Sequence, residues 1–561
     1  MVLTQVILGL VTHQWFKNTE PRHMPLIFMV LTLVPLSGYF LQPEAGFELR
    51  YLLVEYALFY TTLLLSTVVY RIAPFHPLAK HPGPLMCKVT KLWTTWIAYK
   101  GHSHRYFKEL HDIYGPIVRV GPNELSIVEK DAIPPVLGKH GMPRGPLWDG
   151  RRFGLVDRVW DSLVEARDVE IHAELRKPWN DAFSAGPVRD YQAILAMRGE
   201  RLAELLHQTC GGGSTTVDIA KWISYFAFDF MGDLAFGGSF QLMETNDVDG
   251  LWKRMEDGVW LPAINSQIPW AWPIFQIFPV VTRRRRELTQ WSSLQSLQRM
   301  KMESNRGDLF YHLYEVPAKA SGIPLEDQMT LVVSNSILTV LAGADTSATA
   351  SSAIICYLLA RKDIFQCLRD ELDEAFPSEL DEIPNIEIDK LLRLPYLGAV
   401  VNEGLRLVPA VSTHLQRSPA PGSGGKHLYG TDIFIPEGTA VNIPPYAIHR
   451  DPRYFSPSPD SFIPERWLSE ADAVYITNRE AYIPFSHGPA NCAGKPIALL
   501  ELRLVVALLV HRFDMCYKGY RGASPDDLYR RQEAYINGMK DRFVLWKGPL
   551  EVEITPRKWK V

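Results

Sequence analysis

The sequence predicts a mainly α-helical body with small β-sheets, held behind an N-terminal membrane anchor. Three observations predict it. Two nearly charge-free runs lie within the first 70 residues, helical periodicities dominate over a few short β-branched pieces, and no internal repeat, low-complexity tract or second linker follows Pro82. The 561 residues, 47% hydrophobic and 22% charged, suffice for a large packed core. Basic and acidic residues number 59 and 62, a formal charge of −3, which argues against a chain whose main role is coating nucleic acid. Cys87, Cys210, Cys356, Cys367, Cys492 and Cys516 are too scattered for a disulfide scaffold or a C-x-x-C zinc site, so a reducing compartment is expected.

The anchor comes first. Residues 24–41 carry no charge and residues 51–70 only Glu55. At a helical rise of about 1.5 Å per residue these runs reach roughly 27–30 Å, the hydrocarbon thickness of a bilayer. The apolar Met1–Val11 stretch lacks a basic leader and a small-residue cleavage site, which favours a third anchor element over a removed signal peptide. Proline-rich, basic residues 71–85 then read as a stiff hinge, giving a division into an anchor region, 1–80, and a body, 81–561. Arg71, Lys80, Lys88, Lys91 and Lys100 follow the second run, so the positive-inside tendency places the body in the cytosol.

In the body, residues 172–184, 190–207, 221–234, 325–361, 364–375 and 493–513 suit helices, and 117–120, 125–128, 433–435 and 440–443 suit strands. Residues 325–361 form a helix candidate of about ten turns, apolar nearly all round and therefore interior. Its middle reads Ala342-Gly343-Ala344-Asp345-Thr346-Ser347. An acid beside a hydroxyl is costly in apolar surroundings unless it has a partner or a function. The same residues also fit a plain small-residue helix contact, with Thr346 bonded back to a carbonyl.

One cysteine stands out. Phe485-Ser486-His487-Gly488-Pro489-Ala490-Asn491-Cys492-Ala493-Gly494 leads into an aliphatic helix. Gly488 and Gly494 allow backbone to approach a bulky partner, and Cys492 before a helix N-terminus gains amide donors that favour thiolate, a geometry suited to ligating a metal. In a chain of this composition, F-x-x-G-x-x-x-C-x-G has a chance expectation of roughly one in a thousand.

At these residues the sequence resembles the cytochrome P450 family of heme-thiolate monooxygenases. From about Pro82 onward, Ala342–Ser347 resembles its oxygen-activating helix motif, Glu403-Gly404-Leu405-Arg406 its E-x-x-R motif, and Pro464-Glu465-Arg466-Trp467 its P-E-R-F/W motif, all in family order. His172-x-x-x-Arg176 and residues 228–237 look like fungal microsomal members. The signature departs at Ala490, where the family has Arg or His for a heme propionate.

The resemblance implies the P450 fold, heme b as cofactor and O2 as cosubstrate. Cys492 would ligate the iron, and thiolate ligation favours O–O cleavage. Asp345 and Thr346 would relay protons. The cofactor would further meet Ala342, Gly343, Phe485, Gly488 and Gly494, with His172, Arg176 and Arg417 near the propionates and His487 an alternative cation. Glu403, Arg406 and Arg466 would form a buried charge triad that fixes the thiolate loop. No dinucleotide fingerprint is present, so electrons would come from NADPH through a separate membrane-bound NADPH–cytochrome P450 reductase, with Arg176, Lys177 and Lys495 as candidates for its basic docking face.

Trp252, Trp260, Trp270, Trp272 and the apolar residues among them suggest a membrane-dipping lid and a lipophilic substrate, a terpenoid or another secondary metabolite, although packing of lid helices on the core explains them equally. The expected location is the endoplasmic reticulum membrane, with no nucleic-acid partner. Two other functions stay open: a heme-thiolate isomerase or dehydratase, and a non-catalytic heme-binding membrane protein.

Overall fold

The computed structural model describes residues 2–18, 24–40, 49–151, 162–238, 240–302, 307–315, 325–377, 386–469 and 474–558. Three N-terminal helices, α1 (Val2–Asn18), α2 (Met24–Phe40) and α3 (Leu49–Ile72), pack on one another. Their polarity is inverted relative to a water-soluble bundle. Gln5, Thr12, His13 and Glu55 are buried between them, while Leu3, Phe28 and Leu64 point outward. Pro35 sits inside α2 and has no N–H to give the Leu31 carbonyl four residues earlier. The Tyr60 hydroxyl of α3 takes that carbonyl instead at 3.0 Å, Tyr56 donates to the Thr32 carbonyl at 2.7 Å, and Gln5 Nε2 donates to the Pro35 carbonyl at 2.9 Å. Satisfying a freed carbonyl from a neighbouring helix is what a water-free surround requires.

The stretch expected as a hinge is short and turn-rich, but it packs onto the body. His76, Leu78 and His81 are buried. The Arg119 backbone N–H donates to the Pro82 carbonyl at 2.7 Å, and the fully buried Arg119 guanidinium meets His76 Nε2 at 3.2 Å.

The body is mainly helical, as expected. The elements that position the site are α4 (Lys91–Lys100), α5 (Val169–Ala182), α6 (Ile219–Phe236), α7 (Leu251–Asn265), α8 (Leu325–Ala360), α9 (Pro395–Leu407) and α10 (Lys495–Arg512). Asp168 caps α5, its carboxylate accepting from the Glu170 and Ile171 amides. The long helix α8 packs against α6, α9 and α10, and Ala348, Ala353, Ile354 and Leu358 are wholly buried in one large core.

A four-stranded sheet joins distant parts of the chain: β1 (Ile117–Gly121), β2 (Glu124–Ile127), β3 (Gln416–Arg417) and β4 (Ala440–Asn442), in the order β1-β2-β4-β3. Strands β1 and β2 are antiparallel, with Ile117 opposite Ile127; β2 runs parallel to β4; and Arg417 lies opposite Val441. A second sheet pairs residues 513–517 and 215–218 on either side of 551–556, and a short hairpin joins β5 (Lys540–Arg542) to β6 (Val544–Trp546).

Candidate active site

A cavity of about 530 Å³ lies between α8 and the loop that precedes α10. Phe485, Ala490, Cys492 and Gly494 line it from the loop, and Ala342, Gly343, Asp345 and Thr346 from α8. Two motifs far apart in sequence therefore face one space.

The loop's shape follows from its sequence. The Cys492 amide donates to the Phe485 carbonyl at 3.0 Å and the Asn491 amide to the Gly488 carbonyl at 3.1 Å, closing a tight turn. Gly488 takes φ 75°, and a Cβ there would fall on the Leu137 carbonyl, so both backbone angle and space demand glycine. Gly494 differs: a Cβ there would meet nothing nearer than Phe183 at 3.7 Å, which leaves open room beside the thiol. Cys492 is exposed, and it lines the cavity. Burial pushes its thiol pKa up, while the Gly494 and Lys495 amides and the charges of Arg176 and Lys495 pull toward thiolate.

The loop is tied to the buried charge cluster behind it. Arg406 grips Glu403 with two bonds of 2.8 Å, Arg466 Nε adds a third at 3.1 Å and Trp467 Nε1 a fourth at 2.9 Å, with Glu403, Arg406 and Arg466 at or near zero exposure. Burial alone would raise the Glu403 pKa, but the two guanidiniums outweigh it and hold the carboxyl below its ordinary value. His449 links this cluster to the loop: Nδ1 donates to the Arg406 carbonyl at 3.1 Å, and Nε2 accepts from the Ile483 amide at 2.9 Å. The three triad residues thus meet in one buried cluster. His449 escapes a reading of sequence alone, because a lone histidine in Ile448-His449-Arg450 carries no spacing signal.

On the opposite wall α8 is an unbroken helix. Gly343 does not loosen it; a Cβ there would meet Met231 Sδ at 2.5 Å, so the glycine serves the close approach of α6. The Thr346 hydroxyl donates to the Ala342 carbonyl at 2.6 Å, which keeps its lone pairs as acceptors. Asp345 lies 3.4 Å from Lys547 Nζ, a lysine with almost no exposed surface that no sequence motif marks. Glu501 on α10 also lines the cavity. Burial lifts its pKa to about 8 against a hydrogen bond with Ser347.

Three arginines and a histidine, Arg144, Arg176, Arg417 and His172, gather at one side, and of these Arg144 and Arg176 line the cavity while His172 and Arg417 stand behind them. Arg144, unforeseen in its Pro- and Gly-rich loop, is buried, pairs through the backbone with Arg417, and donates through Nη1 to the Leu163 and Ala166 carbonyls at 2.7 and 2.9 Å. Arg144 Nε and His172 Nε2 are buried without a partner among the described residues. Burial, then the charges of Arg144, Arg176 and Arg417, push the His172 pKa down to about 3, so His172 is neutral until an anion enters among them. Arg176 lines the cavity but is engaged with the loop, Nη1 with the Asn491 carbonyl at 2.5 Å and Nη2 with Asn491 Oδ1 at 2.9 Å. Lys177 pairs with Glu174 on the surface. His487 is exposed and does not line the cavity.

An iron porphyrin carries a metal that needs a soft ligand and two carboxylates that need donors. The chain offers a thiol flanked by amides, open room beside it, and orphaned buried nitrogens on His172 and Arg144. The residues fit the group.

The family model described as cytochrome P450 matches residues 81–527. The chain belongs to the cytochrome P450 family. It is 31% identical to cytochrome P450 monooxygenase notG' of Aspergillus versicolor, covering 91% of each chain. It is 30% identical to cytochrome P450 monooxygenase FCK2 of Fusarium pseudograminearum, over 88% of this chain and 85% of that one, and 30% identical to tryprostatin B 6-hydroxylase of Neosartorya fischeri, over 81% and 79%. This P450 is an oxidoreductase of the monooxygenase class, which uses heme iron and O2 with electrons supplied by a reductase.

The tryptophan-rich stretch divides in two. Leu261, Ile264 and Ile268 are buried and Trp252 packs edge-on against Tyr225, so these residues serve the core. Trp260 lines the cavity and meets Tyr99 of α4, which stacks on Trp96, while Trp270, Ile277 and Phe278 are exposed.

Proposed function

We propose that this P450 inserts one oxygen atom from O2 into a lipophilic small molecule, a terpenoid or another secondary metabolite. Electrons come from NADPH through a membrane-bound NADPH–cytochrome P450 reductase, and the enzyme sits in the endoplasmic reticulum membrane with its body in the cytosol. The observation that carries this reading is the placement of Cys492 and of the Asp345–Thr346 pair on opposing walls of one cavity.

Heme bound there supplies the oxygen-activating iron. Cys492 is its thiolate ligand, held by the Gly494 and Lys495 amides. His172, Arg144 and Arg417 receive the propionates, with Arg144 taking the place that Ala490 leaves vacant, while Arg176 steadies the loop. Thr346, its own proton committed to the Ala342 carbonyl, accepts from a water, and Asp345 passes protons to that water while Lys547 fixes the carboxylate. Glu403, Arg406 and Arg466 hold the loop through His449.

The anchor region, 1–80, holds the protein in the bilayer. Lys17 Nζ lies 4.2 Å above the Tyr70 ring, which sets the basic ends of α1 and α3 at one level, beside the body, as the positive-inside tendency asks of the cytosolic face. Substrate enters past Trp96, Tyr99 and Trp260 from the lipid side.

A carbon monoxide difference spectrum of the reduced protein tests this reading, followed by incubation of reductase-containing membranes with lipophilic extracts and mass spectrometry for added oxygen. A long-wavelength thiolate band with NADPH-dependent oxygen addition is expected. Turnover without NADPH or reductase would favour isomerase chemistry instead.

A further inference from the structure

Arg151 closes a 3-10 turn, Pro146–Arg151, and is 6% exposed. Its Nε, Nη1 and Nη2 are all buried without a hydrogen-bond partner among the described residues. The guanidinium lies 3.4 Å from the Phe543 ring centroid and 5.3 Å from that of Trp148, and the side chain lines the cavity. Rings satisfy the faces of a guanidinium but not its in-plane donors, and a buried cation left with five unused N–H groups is costly.

Its electrostatic surroundings separate Arg151 from the groups assigned to the propionates and the loop. The charges of Arg176 and Arg417 bear on Arg144, and all three bear on His172, whereas the charged residue that acts on Arg151 is Asp541. That carboxylate is already taken by Thr413 at 2.7 Å, His414 at 3.1 Å and the Phe543 amide at 3.2 Å. Arg151 therefore stands at the Trp148–Phe543 end of the cavity, near β5 and β6, with donors that no described group uses.

We propose that Arg151 receives a carboxylate of the substrate, so that the lipophilic molecule oxidised here is an acid. A carboxylate matches the guanidinium fork with two parallel bonds, and the aromatic pair keeps the fork planar and oriented. The apolar remainder of the cavity would then hold the hydrocarbon part and set which carbon faces the chemistry. This assignment rests on the cavity being the substrate site proposed above.

Equilibrium dialysis of the full-length holoprotein against abietic acid, methyl abietate, palmitic acid and methyl palmitate tests it. Wild type should bind at least one acid about 10- to 100-fold more tightly than its ester. Arg151→Leu should remove that gap with heme content unchanged, and Arg151→Lys should keep part of it. Independent of any ligand, Arg151→Leu should raise the thermal midpoint, because it removes an uncompensated buried charge. Loss of heme with a lowered midpoint would assign Arg151 to a propionate and overturn the proposal, as would wild type that binds no acid more tightly than its ester. The carbon monoxide spectrum reports separately on the oxygenase reading, since dialysis needs neither the thiolate band nor turnover.

Discussion

Among the described residues two helices, Leu49–Ile72 and Leu331–Ala360, are long and apolar enough to cross a bilayer, with mean hydropathies of 1.7 and 1.3. The first has 11% of its most apolar window buried in the protein, the second 56%. Hydropathy reports that a helix avoids water; only its neighbours report what replaces the water. Around Leu331–Ala360 the replacement is protein, and the polar Ser347, Thr349 and Ser352 are satisfied inside the core. Around α3 the outer surface is aliphatic and the polar groups turn inward to Gln5, Thr12 and His13, the arrangement expected where the surround is lipid. The body keeps its chemistry inside a protein wall, and the anchor keeps its polarity inside a three-helix bundle.

The strongest way to break this comparison is to remove the chemistry and leave both regions folded. Cys492→Ser should abolish the thiolate band and turnover together, with membrane retention unchanged. Cys356→Ala loses a buried contact with the Tyr517 hydroxyl at 3.2 Å and should cost about 1 kcal/mol of stability with the band retained. A second essential cysteine would place the ligand elsewhere.

The boundary between the regions is the next target. Deleting residues up to 72 removes the three helices and should shift the protein toward the soluble fraction with heme retained; the lid tryptophans Trp260 and Trp270 leave some residual attachment. Deleting up to 83 also strips His76 and the Pro82 carbonyl from Arg119 and Leu78 from its apolar cluster. Burial of Leu78 and the lost bonds to Arg119 amount to about 3 kcal/mol, so the longer deletion should unfold at markedly lower urea. Equal midpoints for the two would show that the connector is a free hinge after all.

That boundary also shows what is legible in sequence. The spans, the mainly helical body and the motif residues are readable because each is local: a run, a period or a fixed spacing. Prolines and basic residues between 71 and 85 mark a connector, but nothing local reveals that Arg119, well downstream in β1, binds it. Lys547, Arg144 and His449 escape for the same reason, since each acts on a motif from a distant part of the chain. Gly343 lies in the expected wall, and the close approach it permits is that of another helix. Its partner Met231 is on another helix, and the spacing of small residues does not say which body approaches them.

Within the cavity, Thr346→Ala separates proton delivery from helix packing. Losing the bond to the Ala342 carbonyl should leave α8 and heme content intact, because the helix is held on several sides. Product formed per NADPH consumed should fall, by about 10²-fold in the limit of a fully uncoupled relay, with hydrogen peroxide rising to match. Thr346→Ser restores the hydroxyl and should recover most of the coupling. An unchanged ratio in Thr346→Ala would leave the threonine a packing residue and reopen the isomerase reading.

The smallest effect concerns pH and sharpens the contrast between a region held by apolar area and one held by polar ties. His449 accepts from the Ile483 amide through Nε2, so a second proton there would oppose an N–H and break the tie to the thiolate loop. Burial, then the Arg406 charge, push its pKa down to about 3 from the ordinary 6.5. Between those values the unfolded chain binds the proton and the folded one does not. The contribution is therefore complete above about pH 6.5 and is lost as pH falls toward 3, at about 1.4 kcal/mol per unit in the steep part. The urea midpoint of the full chain should drop between pH 7 and pH 5, and His449→Gln should reduce that slope by about one proton's share while lowering the midpoint at pH 7. Membrane retention should stay constant across the same range, since aliphatic side chains do not titrate. A slope that is the same in both proteins would remove His449 from the account and leave other buried histidines, among them His104, His111 and His172, to carry the pH dependence.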